Sequence, residues 1–185
     1  MNKFYTQTTL PTPNIDYKSV WLNDPTDVCD TIPRWQLHTL KTNFWPTKIQ
    51  TNLASQNLFP ELIRIFRWHP NGFFPWHVDG TVIARTNFAI NWVLDGTGII
   101  QWNSKLNLPP PEPKHATLAY GSIISTPNDA YEETNLGHGC LVNTTIPHRV
   151  VNNNDIHRIT VSMLFGTYIT YEQAVEKLSV LGYVK

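Results

Sequence analysis

A short stretch of the sequence combines imidazole and carboxylate side chains at a spacing that suits metal binding. His77 and Asp79 are separated by one residue. Because side chains repeat every two residues on one face of a β-strand, a strand here would point both side chains at the same place. His148 stands between two further predicted strands and supplies a second imidazole. Two imidazoles and one carboxylate form the facial triad of non-haem Fe(II) sites, and the same three side chains can also bind zinc.

A second polar group lies on the strand predicted over Arg158–Tyr168. Because side chains alternate, Arg158, Thr160 and Ser162 share one face of this strand, and the residues between them are apolar. An arginine buried in such a strand costs free energy unless it meets an anion. A guanidinium beside a hydroxyl is well suited to a small carboxylate. The pattern therefore predicts an anion-binding site; a solvent-facing polar side is the alternative reading of the strand alone.

These side chains must be held by a β-rich scaffold. From Glu61 onward, short runs of branched and aromatic residues are separated by turn sequences, which predicts an antiparallel sandwich or barrel with a few helices outside it. Asn103–His115 and Thr126–His138 are predicted as loops. The predicted strands are Leu62–Trp68, Thr81–Leu94, Gly98–Trp102, Ala116–Ser125, Gly139–Thr144, Arg149–Asn152 and Arg158–Tyr168.

Two helices are expected to flank the strands. Residues 46–60 begin and end with proline, which favours a helix between the two prolines. Residues 171–181 carry one apolar stripe at helical spacing. Thr170 and Gln173 before this stripe fit a capping box, and Gly182 provides a stop after it.

Length and charge limit the class of protein. A chain of 185 residues predicts one domain over residues 1–185, with its core at about 62–166. Lys+Arg and Asp+Glu number 14 each, and this neutral balance argues against a nucleic-acid partner or attachment to an anionic membrane. The first residues carry no apolar run, so we expect no leader peptide, and no apolar stretch is long enough to span a bilayer. Cys29 and Cys140 fit no metal-binding spacing, so we expect free thiols and a cytoplasmic location.

The order of these motifs resembles that of a known superfamily. His77-x-Asp79, then His148, then Arg158-x-Thr160 is similar to the pattern of Fe(II)/2-oxoglutarate-dependent dioxygenases. The resemblance implies that His77, Asp79 and His148 bind Fe(II) and form the catalytic centre. It also implies that Arg158, helped by the Thr160 hydroxyl, binds the distal carboxylate of 2-oxoglutarate.

The resemblance carries further expectations about fold and reaction. It covers roughly residues 62–166 and implies a mainly β protein with a double-stranded β-helix (jelly-roll) core. It implies hydroxylation of a C–H bond with O2, 2-oxoglutarate and supporting ascorbate, and release of succinate and CO2. A peptide or protein side chain is the first expected substrate and a free small molecule the second. The surroundings of the first motif resemble both the prolyl-hydroxylase-like and the aspartyl/asparaginyl-hydroxylase-like branches.

Other readings of the same residues stay open. Asn87 is the residue expected to make the further cosubstrate contact, and Asn91 and Arg85 share its face of the predicted strand. Ordinary amide hydrogen bonding is the alternative for both asparagines, and Arg85 could be a second anion contact. A non-catalytic jelly-roll binding module pinned by a metal, and a zinc hydrolase, are the two alternatives to an oxygenase.

Overall fold

The structure is a computed structural model of the 185-residue chain. It describes residues 2–16, 34–38, 44–74, 76–78, 87–106, 112–115, 118–120, 122–123, 132–136, 139–166 and 168–184. Within these ranges the protein is mainly β and has two helices, α1 (Thr47–Ser55) and α2 (Tyr171–Val180). The strands are β1 (Tyr5–Gln7), β2 (Arg34–His38), β3 (Pro60–Trp68), β4 (Trp76–His77), β5 (Phe88–Asp95), β6 (Ile99–Trp102), β7 (Glu112–His115), β8 (Leu118–Tyr120), β9 (Ser122–Ile123), β10 (Glu132–Asn135), β11 (Cys140–Asn143), β12 (His148–Val151) and β13 (Arg158–Phe165).

The strands form two antiparallel sheets and a hairpin. One sheet has six strands in the order β1-β11-β5-β13-β3-β2, and the other has five in the order β10-β6-β12-β4-β9. Strands β7 and β8 make the hairpin. The chain alternates between the two sheets from β3 to β6 and again from β10 to β13. Eight strands wound in this way are a jelly roll, or double-stranded β-helix, which confirms the predicted fold class.

The outer face of the six-stranded sheet packs against the helices. Its large apolar cluster joins the outward residues of β5 and β13 to buried residues of α1 and α2. Alternation therefore works as predicted: Ile159, Val161 and Met163 of β13 belong to this cluster, and the residues between them face the other way. The inner face of the same sheet is left to form a pocket with the five-stranded sheet.

The helix predictions are confirmed. Helix α1 begins directly after Pro46, within the predicted range. Helix α2 has the predicted capping box, in which the Gln173 backbone N–H donates to Thr170 Oγ1 at 3.2 Å and the Thr170 N–H donates to Gln173 Oε1 at 2.9 Å. After the helix, Gly182 adopts a φ of 74°, the left-handed conformation that glycine accommodates best.

Four strands differ from the sequence predictions. β7 and β10 lie within the two segments predicted as loops, and β1 and β2 were not predicted. Strand β10 (Glu132–Asn135) carries no apolar residue, and among the described strands it lies at the edge of its sheet and pairs only with β6. The backbone hydrogen bonds to β6 stabilise this strand, and such bonds cannot be predicted from the pattern of apolar and polar residues.

The structure tests part of the expectations about the cysteines and about membrane-spanning segments. Cys140 is a buried free thiol, as predicted, and burial raises its pKa to about 12. Cys29 lies outside the described residues. Neither helix in the described ranges is long and apolar enough to cross a membrane.

Candidate functional site

The two predicted metal-binding histidines meet across neighbouring strands. Strand β4 pairs antiparallel with β12, and the pairing register places His77 directly opposite His148. Their ring centroids are 4.3 Å apart, with the ring planes at 48°. Both side chains are buried, with 7% and 4% of their surface exposed. The structure thus brings together two imidazoles that lie far apart in the sequence, as the resemblance implies.

The turn before β12 fixes the orientation of one of these rings. Nδ1 of His148 lies 2.9 Å from the backbone carbonyl oxygen of Ile146. Because a carbonyl oxygen can only accept, Nδ1 is the donor in this bond, and Nε2 is the ring nitrogen that could bind a metal. A histidine that binds a metal commonly holds its second ring nitrogen in this way.

An aromatic ring supports the other histidine. The ring of Phe74 contacts His77 edge-on, with centroids 4.5 Å apart and planes at 77°. Both residues line the same pocket. Packing of this kind restricts the orientation of the imidazole.

The third predicted ligand, Asp79, lies outside the described residues, and so does Arg85. Within the part of the chain that the structure describes, no group of three or more His, Cys, Asp or Glu side chains is placed to hold a metal ion. The described part of the predicted triad is therefore the His77–His148 pair, and the role of Asp79 stays a prediction.

Arg158 is the most deeply buried charged side chain of the pocket. It is 0% exposed and begins β13 on the inner face of the six-stranded sheet. Its Nη1 donates to the Val151 carbonyl oxygen at 3.2 Å, whereas Nε and Nη2 are buried and have no hydrogen-bond partner among the described residues. Burial lowers the pKa of Arg158 to about 10, so the guanidinium is still charged at neutral pH. A buried cation with two unsatisfied N–H groups calls for an anion.

Trp68 links Arg158 to the predicted hydroxyl. Trp68 and Arg158 are directly paired across β3 and β13, and the guanidinium carbon lies 5.7 Å from the indole ring centroid. The indole Nε1–H donates to Thr160 Oγ1 at 2.8 Å. Because this bond uses Thr160 as an acceptor, its own O–H is left to donate into the pocket that both residues line.

Both sheets contribute side chains to one pocket between them. The five-stranded sheet supplies His77 and His148, and the six-stranded sheet supplies Arg158 and Thr160. The metal-binding pair and the anion-binding group predicted from separate motifs therefore share a single pocket.

The two candidate asparagines have different positions. Asn91 lines the pocket, and its buried Oδ1 has no hydrogen-bond partner among the described residues. Asn87 is exposed, precedes β5 and is not part of the pocket wall. Its backbone carbonyl accepts a hydrogen bond from the Thr144 N–H at 3.2 Å. Of the two, the structure brings only Asn91 to the site.

One cationic residue of the pocket was not singled out from the sequence. Arg64 lies on β3 directly opposite Ser162 of β13, and both line the pocket. The alternation along β3 could have indicated this position, because Arg64, Phe66 and Trp68 share one face of the strand. An arginine in a strand between apolar residues is the same signal that identified Arg158.

The comparisons with known proteins concern the fold. No protein-family model matches the chain, and no curated protein matches it. Among solved structures, the chain is similar to a protein with a double-stranded β-helix domain from Klebsiella pneumoniae, at 12% identity over 56% of this chain and 65% of that one, with a TM-score of 0.34. It is similar to a cupin domain from Bordetella pertussis, at 12% identity over 60% and 94% of the two chains, with a TM-score of 0.35.

A third solved structure is a hydroquinone 1,2-dioxygenase. The identity is 14% over 59% of this chain and 60% of that chain, and the TM-score is 0.39. The match thus spans less than two thirds of the length of the Klebsiella protein and of the dioxygenase.

Proposed function

We propose that this protein is an Fe(II)- and 2-oxoglutarate-dependent oxygenase that hydroxylates a C–H bond and releases succinate and CO2. The observation that carries the proposal is the shared pocket. A pair of imidazoles 4.3 Å apart stands in it together with a fully buried guanidinium that has two unsatisfied N–H groups.

The imidazoles fit a ferrous ion. His77 and His148 would hold it, with Asp79 as the predicted third ligand, and positions would stay open for the cosubstrate and O2. The Nδ1–H of His148, held by the Ile146 carbonyl, keeps Nε2 available to the metal without a change of tautomer. When bound, the iron and the cosubstrate supply the oxidising chemistry, and the protein supplies binding, orientation and exclusion of water.

The opposite end of the pocket fits a carboxylate. A carboxylate accepts two parallel hydrogen bonds from one edge of a guanidinium, and Nε and Nη2 of Arg158 form such an edge. The Thr160 O–H can add a third bond. Binding there would compensate the buried charge, so the anion removes a cost already present in the folded protein.

The distance along β12 between the histidine and the arginine favours an elongated diacid over a small anion. Arg158 contacts Val151 at the end of β12, and His148 begins the same strand. A rise of about 3.3 Å per residue places these two levels roughly 10 Å apart. A five-carbon diacid has about 5 Å between its carboxyl carbons. With a hydrogen bond of about 2.8 Å at the arginine end, such a molecule covers about 8 Å of this separation, which a small anion does not.

A peptide or protein side chain is the first substrate class that we propose, and a free small molecule is the second. The first rests on the resemblance of the His77 region to hydroxylases of prolyl and of aspartyl or asparaginyl side chains. Half of residues 103–115 and 126–138, which we expect to shape the mouth, lie outside the described residues. We also propose that the protein acts in the cytoplasm.

The test is succinate formation by purified protein with Fe(II), ascorbate, 2-oxoglutarate and O2, with and without proline-, aspartate- and asparagine-containing peptides. We expect succinate that depends on each component, is lost in His77→Ala, and increases with one peptide class. His157→Ala is the matched control, because His157 is exposed and outside the pocket.

Other outcomes would identify the alternatives. No succinate under any condition, from a folded protein that still binds a divalent metal, would support the metal-pinned binding module. Zinc instead of iron in anaerobically purified protein, together with hydrolysis of an ester or amide, would support a hydrolase.

A further inference from the structure

Gly98 occupies the position in contact with the Arg158 side chain just before β6. A methyl group built at Gly98 would lie 2.6 Å from Cζ and 2.7 Å from Cδ of Arg158, and still closer to Nη1. Real Cβ atoms do not approach heavy atoms this closely, so even alanine at this position would force the guanidinium to move.

The backbone does not require glycine here. Gly96, two residues earlier, has a φ of 76°, a conformation that other residues rarely adopt. Gly98 has no positive φ. An alanine would therefore fit the local backbone, and contact with Arg158 is what excludes a side chain.

The contact distinguishes the two edges of the guanidinium. Nη1 and Cδ lie on one edge; Gly98 packs against this edge, and the Val151 carbonyl accepts from Nη1. Nε and Nη2 form the other edge, whose N–H groups have no partner in the described part of the chain. Glycine and carbonyl together hold the first edge so that the second is presented side-on.

We propose that Gly98 is a positioning residue for cosubstrate binding, because its missing side chain leaves the space in which Arg158 presents Nε and Nη2 to a carboxylate. This inference rests on the proposed function, since it names what aligns the carboxylate-binding arginine. It makes Gly98 a determinant of cosubstrate affinity without any contact to the cosubstrate.

The experiment is calorimetric titration of 2-oxoglutarate into Gly98→Ala, with manganese(II) in place of iron so that no turnover occurs. Loss of a side-on pair of charge-assisted hydrogen bonds predicts an affinity roughly 10- to 100-fold below wild type. Metal binding is expected to stay within about twofold, because the histidine pair is on another part of the pocket wall. Gly166→Ala is the matched control, because the nearest atoms to its methyl would belong to the flexible side chain of Glu61, with Oε2 at 2.8 Å, and Glu61 lies outside the pocket.

A double-mutant cycle separates positioning from a general packing defect. If Gly98→Ala acts by displacing Arg158, adding it to Arg158→Ala should lower neither the affinity for 2-oxoglutarate nor the melting temperature any further. Should Gly98→Ala alone fail to fold, the double variant with Arg158→Ala is expected to fold, because the clashing atoms are gone.

The outcomes distinguish this inference from the proposed function. Wild-type protein that does not bind 2-oxoglutarate overturns the proposed function, and the positioning inference with it. Wild-type protein that binds it, together with unchanged affinity in Gly98→Ala or an equal loss in the Arg158→Ala background, overturns the positioning inference alone.

Discussion

The two ends of the pocket are built in different ways. At the histidine end, His77 and His148 pair across two short strands, and a third ligand and a metal ion are needed to complete the proposed centre. At the arginine end, Arg158 is held by a carbonyl, an indole ring and a glycine, and its Nε and Nη2 are the groups proposed to bind the anion. Metal binding and cosubstrate binding should therefore be separable by mutation, because the two histidines lie on the five-stranded sheet and Arg158 lies on the six-stranded sheet.

The largest effect is expected at the histidine end. His148→Ala removes an imidazole from a pair that has no substitute in the described pocket, so iron binding and succinate formation should fall by more than roughly 100-fold. Metal analysis and the succinate assay measure this directly. Asp79→Ala should likewise lose iron while its thermal melt stays cooperative. Full iron content in either variant would contradict the ligand assignment.

At the arginine end, Arg158→Ala should raise the 2-oxoglutarate concentration needed for half-maximal turnover by about 10- to 100-fold, since it deletes charge-assisted hydrogen bonds. Its iron content should remain that of wild type. Arg158→Ala should thus change the KM for 2-oxoglutarate without changing the iron content, whereas His148→Ala should lower the iron content. This contrast is the sharpest test that the two ends are separable. Unchanged cosubstrate affinity would move the carboxylate role to Arg85.

The pH dependence of cosubstrate binding should report the arginine end. Burial lowers the pKa of Arg158 to about 10 in the free protein. The carboxylate binds to the charged form, so affinity should be constant from pH 8 to 9 and decline as the pH rises through about 10. Titrations of 2-oxoglutarate at pH 8 and 10.5, with circular dichroism to verify folding, measure it. Affinity that is unaffected at pH 10.5 would argue against Arg158 as the anion partner.

A smaller effect is expected from the indole that links Arg158 to Thr160. Trp68→Phe keeps an aromatic ring beside the guanidinium but removes the N–H that donates to Thr160 Oγ1. The hydroxyl is then free to rotate away, and cosubstrate affinity should fall about threefold to tenfold. Steady-state kinetics with varied 2-oxoglutarate measure the change. A loss as large as that of Arg158→Ala would mean that the indole positions the guanidinium itself.

The smallest contrast is between the two asparagines. Asn91→Ala removes a buried amide from the pocket wall and should change turnover by about twofold to tenfold. Asn87→Ala alters an exposed residue outside that wall and should leave turnover within about twofold. The same kinetic assay compares them. A larger effect at Asn87 would restore it as the cosubstrate contact.

The residues that could be predicted from the sequence are those with a strong local pattern. Alternation along β13 placed Arg158, Thr160 and Ser162 on the inner face, and the capping box located α2. The pairing of His77 with His148 depends on the order of strands in the sheet. That order follows from the whole fold, so only the resemblance could indicate it.

Features that depend on neighbours in space were not predictable. Edge strand β10 is polar and is held by its ladder with β6, so its sequence resembles a loop. Gly98 looks like an ordinary turn glycine until the guanidinium of Arg158 is seen against it. Arg64 could have been found by applying to β3 the alternation argument that identified Arg158 on β13.

The measurement that tests the central claim most directly is a crystal structure of the protein with manganese(II) and N-oxalylglycine, an inert analogue of 2-oxoglutarate. The account predicts one metal ion bound by His77 and by Nε2 of His148, and one carboxylate on Nε and Nη2 of Arg158. A metal ion bound away from the two histidines, or a diacid that does not reach Arg158, would contradict it.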